Sequence, residues 1–302
     1  MRHFLLKAFV FFVAGWVIFS GLDRMLSGCF QKTNYKAIEY WSYLANEGID
    51  ADMVFLGSSR VLNHFAPYVL DSVLSLNSYN LGIAGAHFDD MLARYRLYRE
   101  RNKPPKVVLI GIDYFSLLDG VDRDKYQFYP WFHDRSFRKA VFRVTRFSLQ
   151  ERFLPLFRYN GVWMQVISGR GDWSLEKGFL ALDKSSRGDD LEDYSFWFRI
   201  DSEVENAFRE LLDLIASDGA KTIFVQPPLH ESALRKRRNP VEMKEYYDSV
   251  SLSRGIAIID HERFSFSGDT SFFVDALHMN RCGAEVFTDS LAHDLMRLGL
   301  LN

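Results

Sequence analysis

Five short runs of aliphatic and β-branched residues, spaced by stretches with helical patterning, constrain this chain more than any other feature. The runs are 52–57 (DMVFLG), 78–83 (SYNLGI), 106–112 (KVVLIGI), 221–226 (KTIFVQ) and 255–260 (GIAIID). Each is too short for a stable helix and too uniformly apolar for a strand with one wet face, so each reads as a strand covered on both sides. Helical patterns are expected at 88–101, 202–217, 240–252 and 283–298, the last carrying Val286, Phe287, Leu291, Leu295 and Met296 near helical spacing. Strands alternating with helices imply a mostly parallel five-stranded sheet in a three-layer α/β sandwich. In such sheets functional groups gather at the carboxyl ends of the strands.

Ahead of this pattern, residues 4–22 read FLLKAFVFFVAGWVIFSGL. About 19 residues at roughly 1.5 Å each match a hydrocarbon core of about 30 Å. Lys7 is close enough to the start to reach the headgroups. Arg2 and Lys7 at the leading end favour an N-terminus inside and the remainder outside. A cleaved leader is the competing reading, but Phe19, Leu22, Asp23 and Arg24 crowd the positions where cleavage needs small residues. Leu26-Ser27-Gly28-Cys29 has the outline of a lipoprotein box, although Asp23 and Arg24 interrupt the apolar stretch such a signal requires. The expectation is an anchor over 1–24, a linker or stalk over 25–50 with a helix at 31–46, and a domain over 51–302. The bulk of the chain then lies outside the cytoplasm, where a Cys29–Cys282 disulfide is permitted but has no other support.

The segment 117–200 breaks the strand–helix rhythm and reads as an insertion. Residues 114–198 hold 20 of the chain's 47 aromatic side chains. Charge is divided along it: 121–170 carries 10 Lys/Arg and 4 Asp/Glu, whereas 171–205 carries 4 and 10. A basic amphipathic helix is expected over 135–150, with Phe137, Val141, Val144 and Phe147 in one stripe. It suits either an anionic membrane surface or a lid packed on the sheet. Over the whole chain 37 Lys+Arg stand against 39 Asp+Glu, a balance that excludes a basic nucleic-acid coat.

Several polar groups fall where the sheet's carboxyl edge should be. Gly57-Ser58-Ser59-Arg60 ends the first run, and a serine there becomes a nucleophile once a base takes its proton. Asp275-Ala276-Leu277-His278 precedes the last helix, and its spacing lets the carboxylate orient the imidazole. Asn80-Leu81-Gly82 offers a backbone N–H that can approach a ligand oxygen closely. Gly111-Ile112-Asp113-Tyr114 places a carboxylate at the same edge. His230, after Pro227-Pro228-Leu229, is placed to line a cleft, and Arg60 to bind an anionic group. Each has a plainer role as a cap, turn or surface residue. No spacing of His, Cys and Asp matches a zinc or calcium site, and no phosphate or dinucleotide loop is present, so no cofactor is expected.

Taken in order along the chain, these groups resemble the blocks of the SGNH/GDSL hydrolase superfamily. Gly57-Ser58-Ser59 stands where the family has Gly-Asp-Ser, Asn80-Leu81-Gly82 looks like its glycine block, and Asp275-x-x-His278 looks like its last block. The resemblance covers 51–115 and 221–300 and implies a flavodoxin-like fold. It implies Ser59 as nucleophile, His278 as general base, Asp275 as the orienter of His278, and the N–H groups of Ser59 and Gly82 as oxyanion donors. The third block departs from the family: Asp113 stands where an Asn would donate. An ionised carboxylate cannot donate, so Asp113 is held protonated, points away, or leaves the oxyanion to backbone groups.

The single anchor and the Gly-Ser-Ser block also resemble membrane-tethered relatives, among them the D-alanyl transfer protein of teichoic-acid modification and acetyltransferase-like proteins of exopolysaccharide export. That resemblance implies an extracytoplasmic serine esterase or acyltransferase acting on a cell-envelope glycan or lipid, beside a multi-span membrane acyltransferase, with no nucleic acid as partner. The alternative is a non-catalytic scaffold or glycan-binding protein on a degenerate hydrolase fold.

Overall fold

The computed structural model describes residues 1–32, 36–45, 48–118, 125–142, 145, 147–162, 175–183 and 195–301. The chain separates into two compact units: Met1–Glu47 with Val121–Trp173, and Gly48–Gly120 with Ser174–Asn302. The segment expected as one insertion is therefore divided between them.

The second unit is built on the expected five-stranded sheet. Its strands are β1 (Met53–Leu56), β2 (Ser78–Asn80), β3 (Val107–Gly111), β4 (Lys221–Gln226) and β5 (Ala257–Asp260). They lie in the order β2-β1-β3-β4-β5, and every pairing is parallel. The two-residue side-chain period sorts the strands into two faces. Met53, Phe55, Val107, Leu109, Ile223 and Val225 join Phe287, Leu291 and Leu295 of the closing helix (Arg281–Arg297) in one core cluster. Their neighbours Val54, Leu56, Val108, Ile110 and Phe224 are also fully buried. Phe224 meets Phe208 at 5.9 Å and Tyr247 at 6.1 Å, from the helices Ser202–Ser217 and Pro240–Arg254. Phe88, which opens the helix Phe88–Arg101, stacks on Phe208 at 4.0 Å.

Several expected bounds shift by a residue or two for local reasons. Gly255 ends the helix before β5 in the left-handed region, φ 65°, instead of starting the strand. Asn80 ends β2 because its side chain turns back to bond the backbone. Asn280 caps the closing helix by accepting from Gly283 N at 3.0 Å, so that helix starts at Arg281.

Because β1 connects outward to β2 and the chain then crosses back to β3, the order reverses at β1. The carboxyl ends of β1 and β3 therefore open a crevice, the place where such sheets hold ligands. Val61 fills it from below. A Cβ added at Gly57 would meet Val61 Cγ2 at 2.2 Å, and one at Gly111 would meet it at 2.1 Å. Two glycines at adjacent strand exits thus let the helix Ser59–His64 sit directly against the sheet edge.

In the first unit the helix Arg2–Phe30 is long and apolar enough to cross a membrane. It runs unbroken past residue 24, where the anchor was expected to end, and its last two turns are packed. Asp23 is buried, pairs with Arg158, lies 2.6 Å from His133 Nε2, and accepts from Leu156 N at 2.7 Å. Ser27 Oγ is 2.5 Å from the Tyr159 hydroxyl. The stalk helix is described over Lys36–Ala45; residues 33–35 and 46 of the expected 31–46 lie outside the described residues. Its Trp41 donates to Gln127 at 2.9 Å and packs edge-on against Phe128 and Phe137. The expected basic helix over 135–150 is instead Arg135–Val141, followed by a separate turn of helix, Leu149–Phe153. Its apolar stripe is not a membrane face: Phe137, Val141 and Phe147 are buried, and the two rings pack in an aromatic cluster with Trp41, Phe128 and Phe132. Val144 lies outside the described residues.

Candidate active site

The nucleophile turn follows directly from the strand exit. β1 ends at Leu56, Ser58 caps the next helix by accepting from Arg60 N at 3.3 Å, and Ser59 becomes its first residue. Ser59 is half-buried, and its Oγ lies 2.8 Å from His278 Nε2. The two residues are 219 positions apart in the chain. Ser59's backbone N–H has no hydrogen-bond partner among the described residues, as the first N–H of a helix ordinarily lacks one.

His278 is held by the turn that precedes it. Asp275 Oδ1 accepts from Leu277 N at 2.7 Å and from His278 N at 2.8 Å. Its two oxygens lie 2.8 and 3.0 Å from His278 Nδ1. One carboxylate therefore closes the turn and binds Nδ1–H, which leaves Nε2 as an acceptor facing Ser59. Burial pushes the Asp275 carboxyl up, but the His278 ring and the two backbone donors more than offset it, so it lies below the usual range. The turn is pinched by an antiparallel bridge between Phe273 and Met279.

Behind His278 sits a second imidazole that its position in the sequence did not single out. His64, at the end of the Ser59–His64 helix, is fully buried, and its ring meets the His278 ring edge-on at 6.4 Å. His64 Nε2 accepts from Met279 N at 3.0 Å. Its proton is then on Nδ1, which has no partner among the described residues. Burial, then the nearby charges of Arg60 and His278, hold its pKa well below the usual histidine value. His64 is thus a neutral ring that carries the backbone next to His278.

The other expected site residues have structural duties. Asp113 is buried; it accepts from Ser58 Oγ at 2.6 Å, Phe115 N at 2.8 Å and Ser116 Oγ at 3.0 Å. Of the three possibilities raised by its sequence, it points away. Arg60 is not available to an anionic ligand. It is buried and donates to the carbonyls of Pro227 and Pro228, tying the helix to the exit of β4. Burial lowers its pKa, and Asp113, Glu262 and Tyr114 oppose the shift. Glu262 in turn pairs with Arg237.

Asn80 also turns inward. Its amide donates to Val61 O at 2.8 Å and Phe65 O at 2.9 Å, and its Oδ1 accepts from Gly82 N at 2.8 Å. The Gly82 N–H expected as an oxyanion donor is therefore committed. Gly82 is a packing glycine: a Cβ there would meet Leu62 N at 2.6 Å. His230 is buried rather than open to a cleft. Its N–H donates to Ala276 O at 3.2 Å, its Nδ1 accepts from Ser232 N at 3.2 Å, and its ring meets Phe273 at 5.3 Å, so it braces the Asp275–His278 turn. Among the described residues no group of three or more His, Cys, Asp or Glu could hold a metal ion, and Cys29 and Cys282 are free thiols.

No protein-family model and no curated protein matches the chain. Among the solved structures that resemble it are lipolytic and acylhydrolase proteins. One is described as a lipolytic protein of the G-D-S-L family from Desulfitobacterium hafniense DCB-2, with 11% identity over 80% of this chain and 97% of that chain, TM-score 0.43. Another is a GDSL-like lipase from Bacteroides thetaiotaomicron VPI-5482, with 10% identity, 86% and 98% coverage, and TM-score 0.41. A third is described as an acylhydrolase from Bacteroides fragilis NCTC 9343, with 11% identity, 81% and 87% coverage, and TM-score 0.38.

Proposed function

We propose that the protein is a serine-dependent acyl-ester hydrolase or acyltransferase, anchored by its N-terminal helix, that works outside the cytoplasm on acyl groups of an envelope glycan or lipid. The single observation that supports the chemistry is Ser59 Oγ at 2.8 Å from a His278 ring whose other nitrogen is bound by Asp275. Ser59 Oγ attacks the acyl carbonyl carbon as its proton passes to His278 Nε2. The tetrahedral intermediate collapses, the ester C–O bond breaks, and His278 returns the proton to the leaving alcohol. Water, or a sugar hydroxyl, then loses its proton to His278 and attacks the acyl-Ser59 ester; the Oγ–acyl bond breaks and His278 returns the proton to Ser59 Oγ.

Asp275 stabilises the imidazolium formed in each half and keeps the ring in the tautomer that accepts at Nε2. The Ser59 N–H is the backbone donor open to the oxyanion. With Gly82 committed and Asp113 turned away, the expected second donors are missing. One lost donor typically costs about 10²–10³ in rate. A transferase would draw its acyl group from a donor delivered across the membrane, which is the part a multi-span acyltransferase would supply.

The test is covalent labelling. A fluorophosphonate should modify the full-length wild-type protein in detergent and leave Ser59→Ala unmodified. Labelling that persists in Ser59→Ala would remove the mechanism.

The commitment of Gly82 N–H to Asn80 favours a second reading, a scaffold or glycan-binding protein that has kept the triad without turnover. Envelope acylation that is unchanged in a strain carrying only His278→Ala would support that reading. Loss of acylation with the variant still folded would reject it.

A further inference from the structure

Four large apolar side chains in the first unit stay in solvent although an aromatic core lies beside them. Leu149 is 70% and Phe153 65% exposed, and Leu154 and Phe157 are also exposed. Two of the polar residues among them are engaged by the protein, and Gln150 is exposed. Glu151 is buried, accepts from Tyr129 at 2.9 Å and closes the capping box with Ser148, and Arg152 lies over the Phe142 ring at 4.8 Å. Beside the exposed Gln150 and Arg152, what faces outward is apolar: Leu149 and Phe153, followed by the turn Leu154-Pro155-Leu156-Phe157.

That tip is fastened to the membrane helix at a defined height. Leu156 N donates to Asp23 Oδ1 at 2.7 Å. Leu154, Pro155, Leu156 and Phe157 share one open apolar depression with Trp16, Phe19 and Leu26 of the helix. Trp16 stands seven residues before Asp23, about 10 Å down the helix axis. The turn therefore overlaps the last two turns of the apolar span. One wall of the depression is the face of a helix that lipid must surround, so acyl chains reach the turn wherever they reach Trp16 and Phe19.

We propose that Leu149–Phe157 is a second, non-spanning membrane contact, a wedge seated in the leaflet opposite the N-terminus, with lipid acyl chains filling the depression. The contact goes beyond the proposed chemistry and rests only on the anchor reading. It sets the rotation and tilt of the unit on the bilayer, which one helix cannot do alone.

The test uses the full chain in vesicles of phosphatidylethanolamine and phosphatidylglycerol, with Cys29→Ser and Cys282→Ser as background. A nitrobenzoxadiazole label is placed singly through Phe153→Cys or Phe19→Cys. Both positions are exposed, so neither substitution disturbs the core. The proposal expects both labels to be quenched by shallow doxyl lipid and protected from aqueous iodide. Phe19 quenched by doxyl lipid, with Phe153 quenched only by iodide, keeps the anchor and overturns the wedge. Neither label quenched by doxyl lipid takes the helix out of the bilayer, and the wedge with it.

Discussion

Ser58 gives its hydroxyl hydrogen to Asp113 across 2.6 Å, joining the exits of β1 and β3 from beneath the nucleophile turn. Asp113 faces only donors: this hydroxyl, Phe115 N and Ser116 Oγ. An asparagine would turn an NH₂ toward one of them. Asp113→Asn should therefore cost about 1–3 kcal/mol of stability and leave acyl-ester turnover no higher than wild type. Denaturant unfolding beside an ester assay measures both. A stable, faster variant would mean that the residue serves the oxyanion.

Asp275 holds His278 through Nδ1, so its loss should act through the tautomer. Asp275→Asn should lower kcat by about 10⁴-fold while substrate binding is kept. Ser59→Ala with His278→Ala in one chain should be no slower than either alone, because the two act as one unit. Additive losses in a single-turnover assay would separate the two side chains.

His64 predicts an acid weakness. Its folded pKa lies below the unfolded value of about 6.5. Below that pH the unfolded chain takes up a proton that the folded chain refuses. The stability due to neutral His64 is thus fully present above about pH 6.5 and falls by up to about 1.4 kcal/mol per pH unit on the way down to its folded pKa. His64→Gln keeps an acceptor for Met279 N–H and cannot titrate. Its unfolding free energy should depend less steeply on pH between 6.5 and 5 than that of the wild type. Equal slopes would assign the acid limb to other groups.

Arg60 should matter for folding and not for substrate charge. Removing it leaves the Pro227 and Pro228 carbonyls without their donor in a buried site. Arg60→Met should cost about 1–3 kcal/mol, seen as a lower unfolding midpoint. If the folded variant loses only its preference for anionic esters, the residue contacts substrate after all.

The strands were readable because their composition permits little else. The run 107–111 has no polar side, so it must be covered twice, and only a central parallel strand with helices above and below does that. The insertion was not readable in the same way. Phe137, Val141 and Phe147 satisfy a helical stripe on paper, yet the helix stops at Val141, and the rings of Phe137 and Phe147 pack on Trp41, Phe128 and Phe132. Aromatic side chains pack favourably in many geometries, so their spacing alone leaves the partner open.

The order of a serine, a glycine turn and an Asp-x-x-His along one α/β chain was enough to nominate Ser59, His278 and Asp275. Hydrophobic periodicity and turn chemistry are local, and they set where each element ends. Tertiary structure alone decided the duties of Arg60, Asn80, Gly82, Asp113 and His230. A buried polar atom must bond to whatever the neighbouring strand exit presents. Those partners lie far along the chain, as Pro227 does from Arg60, 167 residues away.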